Sequence, residues 1–233
     1  MRMFLNCKEM VNEVERDLWE MGITVHPQTM QDKQVGQDDS YSTIEVQAYG
    51  YKLMCPDLAD VRNTLLDRRG NLDWAEDEAC DRISPDYINP GTTYLLRPHV
   101  WTQFLRDDQF AYTYNERFRE QLPLIIRELS IRPESRQAVM TMYDRHQDMN
   151  NWGGKDRIPC SMYYQFYIRD NKLHMIYTMR SCDFLTHFIY DVYFSVFLQS
   201  YVADNLNLNM GTFTHFIGSL HAYKKDMAER GIF

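Results

Sequence analysis

Apolar and polar positions alternate most regularly in two runs, Tyr163 to Arg169 and Lys172 to Met179, with Asp170-Asn171 between them. Tyrosines, Phe166, Ile168 and Ile176 suit a pleated strand, and Asp-Asn suits a tight turn, so the pattern predicts a β-hairpin. Cys160 opens the first run and Arg180 closes the second, followed by Ser181 and Asp183. A hairpin would therefore return a guanidinium to a thiol. A nearby cation favours thiolate, which is the nucleophilic form. A lone cysteine is more often a small buried hydrophobe, so its company decides the reading.

The next segment, Phe184 to Leu206, is mostly apolar but contains His187, Asp191 and Gln199. These polar residues predict a buried core helix, not a membrane span. Upstream, Phe4, Met10, Val11, Val14, Leu18 and Met21 recur at helical spacing and predict a helix over Met3 to Met21, ended by Gly22. His26 to Ser40 reads as a loop. Tyr41 to Met54 alternates as a strand, and Asp57 to Asp81 is helical in part. Ser84 to Arg97 is rich in proline and loops. Glu120 to Leu129 is a helix with Leu122, Leu124, Ile125, Ile126 and Leu129 inward. Gln137 to Tyr143 reads as a strand and Asn150 to Gly154 as a loop. Gly211 turns the chain into a last strand, Thr212 to Tyr223.

The 233 residues are 44% hydrophobic, enough for one domain with a substantial core. A net charge of −8 gives no support to a nucleic-acid backbone as partner. Local cations could still hold a nucleotide-sized anion. Five cysteines, with no CxxC or paired Cys/His spacing, argue against a disulfide framework or a zinc site. The N-terminus lacks the apolar core of a signal peptide. A cytoplasmic location is expected.

Taken together, Pro159-Cys160, Gln165-Phe166, Arg180-Ser181-Cys182-Asp183, Asp191 and Gly218-x-x-His221-x-Tyr223 resemble the catalytic half of the thymidylate synthase family. Pro133-Glu134-Ser135-Arg136 resembles that family's Pro-Asp-Ser-Arg segment, and Tyr112-Thr-Tyr114-Asn115 its Gly-Pro-Val-Tyr-Gly region. The resemblance covers roughly Tyr112 to Tyr223. It implies an α/β fold, a mixed β-sheet flanked by helices, in a single domain over 1–233 that is divergent over 1–110 and catalytic over 111–233. It also implies homodimers packed sheet to sheet, with Arg136 crossing the interface. Cys160 would be the nucleophile, with Asp183, Asp191 and Tyr114 beside the reacting ring. Arg180 and Ser181 would hold the nucleotide phosphate, His221 and Tyr223 the sugar, and Gln165 would also contact substrate. The family's loop arginine is missing, and Lys33 is a candidate replacement. Its essential helical glutamate corresponds by distance to Glu76 or Glu78. No metal is implied. The cofactor would be 5,10-methylenetetrahydrofolate and the partner a pyrimidine deoxynucleoside monophosphate, with neither nucleic acid nor membrane.

Asp191 is the informative departure, because the family has Asn there. An amide can donate to uracil O4 and accept from N3–H, whereas an ionised carboxylate only accepts. It would repel O4 and accept from the cytosine amino group. Tyr190-Asp191 in place of Phe-Asn resembles deoxycytidylate hydroxymethylases, of the kind expected in bacteriophages that make modified DNA precursors. Host cytoplasm would then be the location. Ser161 replaces the usual His, Met179 the usual Gln, and His187-Phe188 part of Gly-x-Pro. The sequence ends soon after Tyr223, where synthases continue and close over folate, and the resemblance then favours water over hydride as the final nucleophile, or a different one-carbon partner. The expected function is conversion of dCMP to 5-hydroxymethyl-dCMP. The alternatives are a dUMP hydroxymethylase, a thymidylate synthase and a non-catalytic nucleotide-binding relative.

Overall fold

The computed structural model describes residues 1–232. Phe233, the last residue of the expected domain, lies outside the described residues. In chain order the elements are β1 (Arg2–Phe4), α1 (Cys7–Met21), β2 (Ile23–Val25), β3 (Thr29–Met30), β4 (Lys33–Gln34), β5 (Thr43–Leu53), α2 (Leu58–Asp67), α3 (Leu72–Ile83), α4 (Pro98–Trp101), α5 (Tyr114–Phe118), α6 (Leu122–Ile131), β6 (Val139–Thr141), β7 (Ser161–Arg169), β8 (Lys172–Asp183), α7 (Phe188–Asn205), β9 (Asn209–Tyr223) and α8 (Lys224–Glu229).

One mixed sheet runs β1-β5-β9-β8-β7-β6, with β2 also pairing with β5. The expected hairpin is β7–β8, antiparallel with Arg169 opposite Lys172. Asp170 and Asn171 both adopt positive φ, 51° and 55°, which is the turn geometry that matches strand twist. The strands β8 and β9 are parallel and central. Their inward residues Met175, Tyr177, Phe213 and Ile217 are buried under α7. Within that core, Tyr164, Tyr177 and His215 stack face to face. The other sheet face carries Tyr163, Gln165, Tyr167 and Ile176, half-buried, with Phe216 exposed. Among the described residues no helix is long and apolar enough to cross a membrane.

Several expected boundaries move for local reasons. Residues Arg2–Phe4 form a strand parallel to the end of β5, and α1 starts only after Asn6, whose side chain accepts from Glu9 N at 2.8 Å. The segment expected as a loop around Lys33 contains the small β3–β4 pair, which turns at Gln31 with φ 52°. Leu124 points outward at 62% exposure, because the inward side of α6 is formed by Leu122, Ile125 and Leu129, with Ile126 half-buried against the core. The chain reverses before β9 at Asn207, φ 54°, not at Gly211. Gly211 lies inside β9, where a Cβ would come 2.7 Å from the His174 ring. The apolar helix begins at Phe188, four residues later than expected. Before it, Asp183 Oδ1 accepts from Leu185 N and Thr186 N at 3.1 and 3.2 Å, and Phe184 N donates to His221 O at 2.7 Å. These bonds extend β8 to Asp183 and hold the following residues in a turn.

Candidate active site

A cavity of about 960 Å³ opens where the parallel strands β8 and β9 end. Carboxyl ends of parallel strands are where open α/β sheets place ligands. Cys160 and Asp191, expected to touch one base, both line it. Cys160 directly precedes β7, and its carbonyl accepts from Arg180 N at 2.9 Å. The guanidinium of Arg180 donates to the Pro159 and Ile158 carbonyls at 2.9 and 3.1 Å, leaving Nη2 3.9 Å from the thiol sulfur. Between Ser161 and Tyr163 a β-bulge shifts the register and re-aims the strand beside the thiol. Gln31, on the turn between β3 and β4, also reaches Cys160 Sγ at 3.9 Å and accepts from Ile158 N at 3.1 Å.

The expected cation is therefore beside the thiol, but it does not control the ionisation. Burial pushes the Cys160 thiol up. Asp191 and Asp183 add to that rise, while Arg180 and Arg157 only reduce it. The first turn of α7 presents Asp191, and Cys182 donates its S–H to Asp191 Oδ2 at 3.5 Å. Burial pushes Asp191 up to about 7, against the pull of Arg82. Asp183 is also raised by burial, with His221 opposing. Parallel register sets Asp183 beside His221, whose ring meets Tyr223 edge to face at 5.1 Å. Ser181 and Tyr223 line the same cavity. Tyr114 does too, its hydroxyl accepting from Ser161 Oγ at 3.1 Å, so it braces the residue after the nucleophile position.

Gly218 allows β9 to approach β8 at this point. A Cβ there would meet the Arg180 carbonyl oxygen at 2.7 Å, with rigid backbone on both sides. Gly218→Ala is expected to lower stability by about 1–3 kcal/mol, read as a lower urea midpoint at unchanged m.

Five expected site residues do not line this cavity, although Glu78 lines a small side pocket beside it. Lys33, expected to replace the loop arginine on the phosphate, instead hydrogen-bonds the exposed Gln103 side chain, while Gln31 on the turn before it reaches the thiol. Arg136 is exposed, and its carbonyl accepts from the Gln165 side chain at 3.2 Å, so both sit on the uncovered sheet face. Glu76 pairs with Arg62 at the surface, 3.0 Å. Glu78 is held by Arg82 at 2.8 Å. The Arg82 guanidinium also lies over Tyr114 and Phe194, 4.2 and 3.9 Å from the ring centres. Glu78 thus neutralises an arginine that lines the cavity. Glu78→Ala leaves that buried charge without its carboxylate and is expected to cost about 3 kcal/mol, measured by chemical unfolding. A fall in activity without loss of stability would instead favour direct catalysis by Glu78.

Other lining residues were not anticipated: Arg82, Arg97, Arg157, Trp74 and Trp101. Arg97 and Arg157 are buried, and both press on aromatic rings. His187 lies 5.8 Å from the Trp101 ring and is pushed down to about 3 by burial and by Arg97, Arg157 and Arg82, so it stays neutral. The only signal in the sequence was the position of Arg157, three residues before Cys160.

The thymidylate synthase family profile matches residues 66–230, starting well before Tyr112, where the motif resemblance begins. Proteins named "Putative thymidylate synthase" are similar to this chain. That of Methanosarcina barkeri (strain Fusaro) is 32% identical over 123 residues, covering 50% of this chain and 55% of that protein. That of Methanocaldococcus jannaschii is 30% identical over 115 residues, covering 49% and 52%. The chain spans about half the length of the curated relatives it matches. The thermostable thymidylate synthase A from Bacillus subtilis superposes with a TM-score of 0.71 at 17% identity, over 97% of this chain and 82% of that one. This is a likeness of fold, and it includes the N-terminal third, where the motifs gave no guidance. With the family profile spanning most of its length, the chain belongs to the thymidylate synthase family.

Proposed function

We propose that residues 1–233 form one domain that transfers a one-carbon unit to C5 of a pyrimidine deoxynucleoside monophosphate, dCMP, giving 5-hydroxymethyl-dCMP. The observation that carries this reading is the shared cavity: the Cys160 thiol and the Asp191 carboxyl line one space, with Arg180 and Ser181 at its edge. Arg180 and Ser181 bind the phosphate, and a guanidinium suits an oxyanion. His221 and Tyr223 bind the sugar. The sulfur of Cys160 adds to C6 of the ring, the C5–C6 π electrons move toward N3, and N3 takes up a proton. C5 then carries carbanion character, so one hard step becomes two easier ones. Asp191 accepts hydrogen bonds from the amino group and from protonated N3, which holds the adduct in register. Once C5 has gained its one-carbon substituent it loses its proton, the bond from that carbon to the donor nitrogen breaks, and water adds to the exocyclic carbon as the C6–S bond breaks, which returns the thiolate and leaves a hydroxymethyl group.

The cavity fits a second ligand. Its aromatic wall carries the indole N–H groups of Trp74 and Trp101 without partners, and Asp183 supplies an acceptor at the opening of the turn before α7. Methylenetetrahydrofolate bound there would supply the one-carbon unit. Homodimerisation through the uncovered sheet face, bringing Arg136 of a second copy toward the phosphate, is part of the same proposal.

Asp191 also supports a second reading. A carboxyl that protonates near pH 7 can donate to uracil O4, so dUMP is an alternative substrate, giving hydroxymethyl-dUMP or dTMP. The test is tritium release from C5-labelled dCMP and dUMP with methylenetetrahydrofolate, together with product mass. Release from dCMP with a hydroxymethyl product is expected. Release from dUMP alone selects the second reading, and release from neither leaves a nucleotide-binding protein without this chemistry.

A further inference from the structure

Among the described residues, the aspartates and arginines that keep less than a tenth of their surface exposed are paired with opposite charges, with two exceptions on the cavity wall. Arg82 has Glu78 at 2.8 Å, Asp148 has Arg117 at 2.9 Å, and Asp17 has Arg2 at 2.8 Å. Arg97 and Arg157, each only 7% exposed, have no carboxylate within ion-pair distance among the described residues. Arg97 lies 4.5 Å from the ring centres of both Trp74 and Tyr190. Its Nη2 reaches the Thr186 carbonyl at 3.4 Å, and its buried Nη1 has no hydrogen-bond partner. Arg157 sits among Trp101, Phe104, Phe110 and Tyr112, with ring centres 5.0–5.4 Å away. No hydrogen bond leaves its guanidinium for any described residue. It also borders a small side pocket of about 50 Å³, shared with Arg82, Trp101 and Tyr112, which has room for a few water-sized atoms.

Leaving a buried guanidinium unpaired is costly, and ring faces replace only part of the lost hydration. Everything unsatisfied on this wall is a donor: Arg97 Nη1 and the indole nitrogens of Trp74 and Trp101. Donors without acceptors call for a ligand rich in acceptors. Neutral His187 adds no charge; Asp183, Asp191 and Glu78 are the carboxyls whose charge reaches Arg97, and none of them lies within ion-pair distance of either guanidinium, so both keep open donors.

We propose that this wall is a second anion subsite, in which Arg97 and Arg157 clamp a carboxylate or phosphate group of a ligand sharing the cavity with the nucleotide. Sharing with a nucleotide at Arg180 rests on the function proposed above, but the anion subsite does not. The group is either the carboxylate of the one-carbon donor or the phosphate of a separate ligand.

The test is isothermal titration calorimetry on the full chain at matched ionic strength, with inorganic phosphate and tetrahydrofolate as probes. Arg180→Gln removes the nucleotide-phosphate cation and isolates the second subsite. In that background, phosphate or tetrahydrofolate is expected to bind, and either Arg97→Gln or Arg157→Gln is expected to weaken binding tenfold or more. Phosphate binding identifies a phosphate ligand, and loss confined to tetrahydrofolate identifies the carboxylate of the donor. Circular dichroism establishes that each variant is folded; if Arg157→Gln is not, Arg157→Lys and Arg97→Gln decide. Binding of neither probe, or binding indifferent to both arginines, overturns the proposal. So does a single site lost equally in Arg180→Gln and Arg157→Gln, which would put these arginines on one phosphate. Tritium release is scored separately, so failure of the catalytic reading does not look like failure of the subsite.

Discussion

Replacing Cys160 with serine is expected to cut tritium release from C5-labelled dCMP by about 10³-fold or more while dCMP still binds. Attack on C6 needs an anionic sulfur, and a serine hydroxyl is far less acidic and a poorer nucleophile at the same place. Binding should survive because the phosphate contacts proposed above come from Arg180 and Ser181, whose backbone is fixed by β8. Denatured mass spectrometry should find a covalent adduct with 5-fluoro-dCMP in the parent protein and none in Cys160→Ser. The thiol's environment adds a pH dependence. Burial, Asp191 and Asp183 raise its ionisation above the ordinary cysteine range more than Arg180 and Arg157 lower it. The reactive thiolate fraction therefore grows as pH rises, and single-turnover rates should climb through the alkaline range, with no acid-side optimum from this group. Undiminished tritium release in Cys160→Ser would remove sulfur from the mechanism.

The part of this site that was legible in sequence is the part built from neighbours in the chain. Alternation from Tyr163 to Met179 and the Asp170-Asn171 turn specify a hairpin, and a hairpin's register then places Arg180 beside Cys160. The polar residues interrupting the apolar run before Leu206 likewise marked a buried helix, and Asp191 and Gln199 do lie inside. The start of that helix was misplaced because Asp183 competes for the backbone N–H groups of Leu185 and Thr186. Periodicity does not record such side-chain bonds. Arg97 and Arg157 were invisible for a different reason. Each is an ordinary cation in a polar, aromatic segment, and only folding encloses it among Trp74, Trp101 and Tyr112. Glu78 is the converse case: spacing placed an acid near the site, and in the structure it lines the small side pocket while bonded to Arg82, four residues along the same helix.

Asp191→Asn is expected to move preference from dCMP toward dUMP by roughly 10²-fold in relative kcat/KM, because a site built to hydrogen-bond one base edge leaves buried groups unpaired on the other. An ionised carboxylate accepts from the cytosine amino group and faces uracil O4 with like partial charge. An amide can donate to O4 and accept from N3–H. The unsubstituted protein should also show this exchange as a function of pH. Burial raises Asp191 to about 7, so the group is a carboxylate above that pH and a neutral acid below it. The neutral acid has one donor and one acceptor and can satisfy either base. Selection against uracil is therefore full at pH 8 and above, and fades as pH falls through 7 toward 6. Competition between dCMP and dUMP across that range, scored as the ratio of C5 tritium released, should show the ratio falling toward acid. In Asp191→Asn the same ratio should be flat, since an amide does not titrate there. A pH-dependent ratio that persists in Asp191→Asn would assign the titration to another group. A ratio flat in both proteins would mean that Asp191 does not read the base, whatever cavity it shares with Cys160.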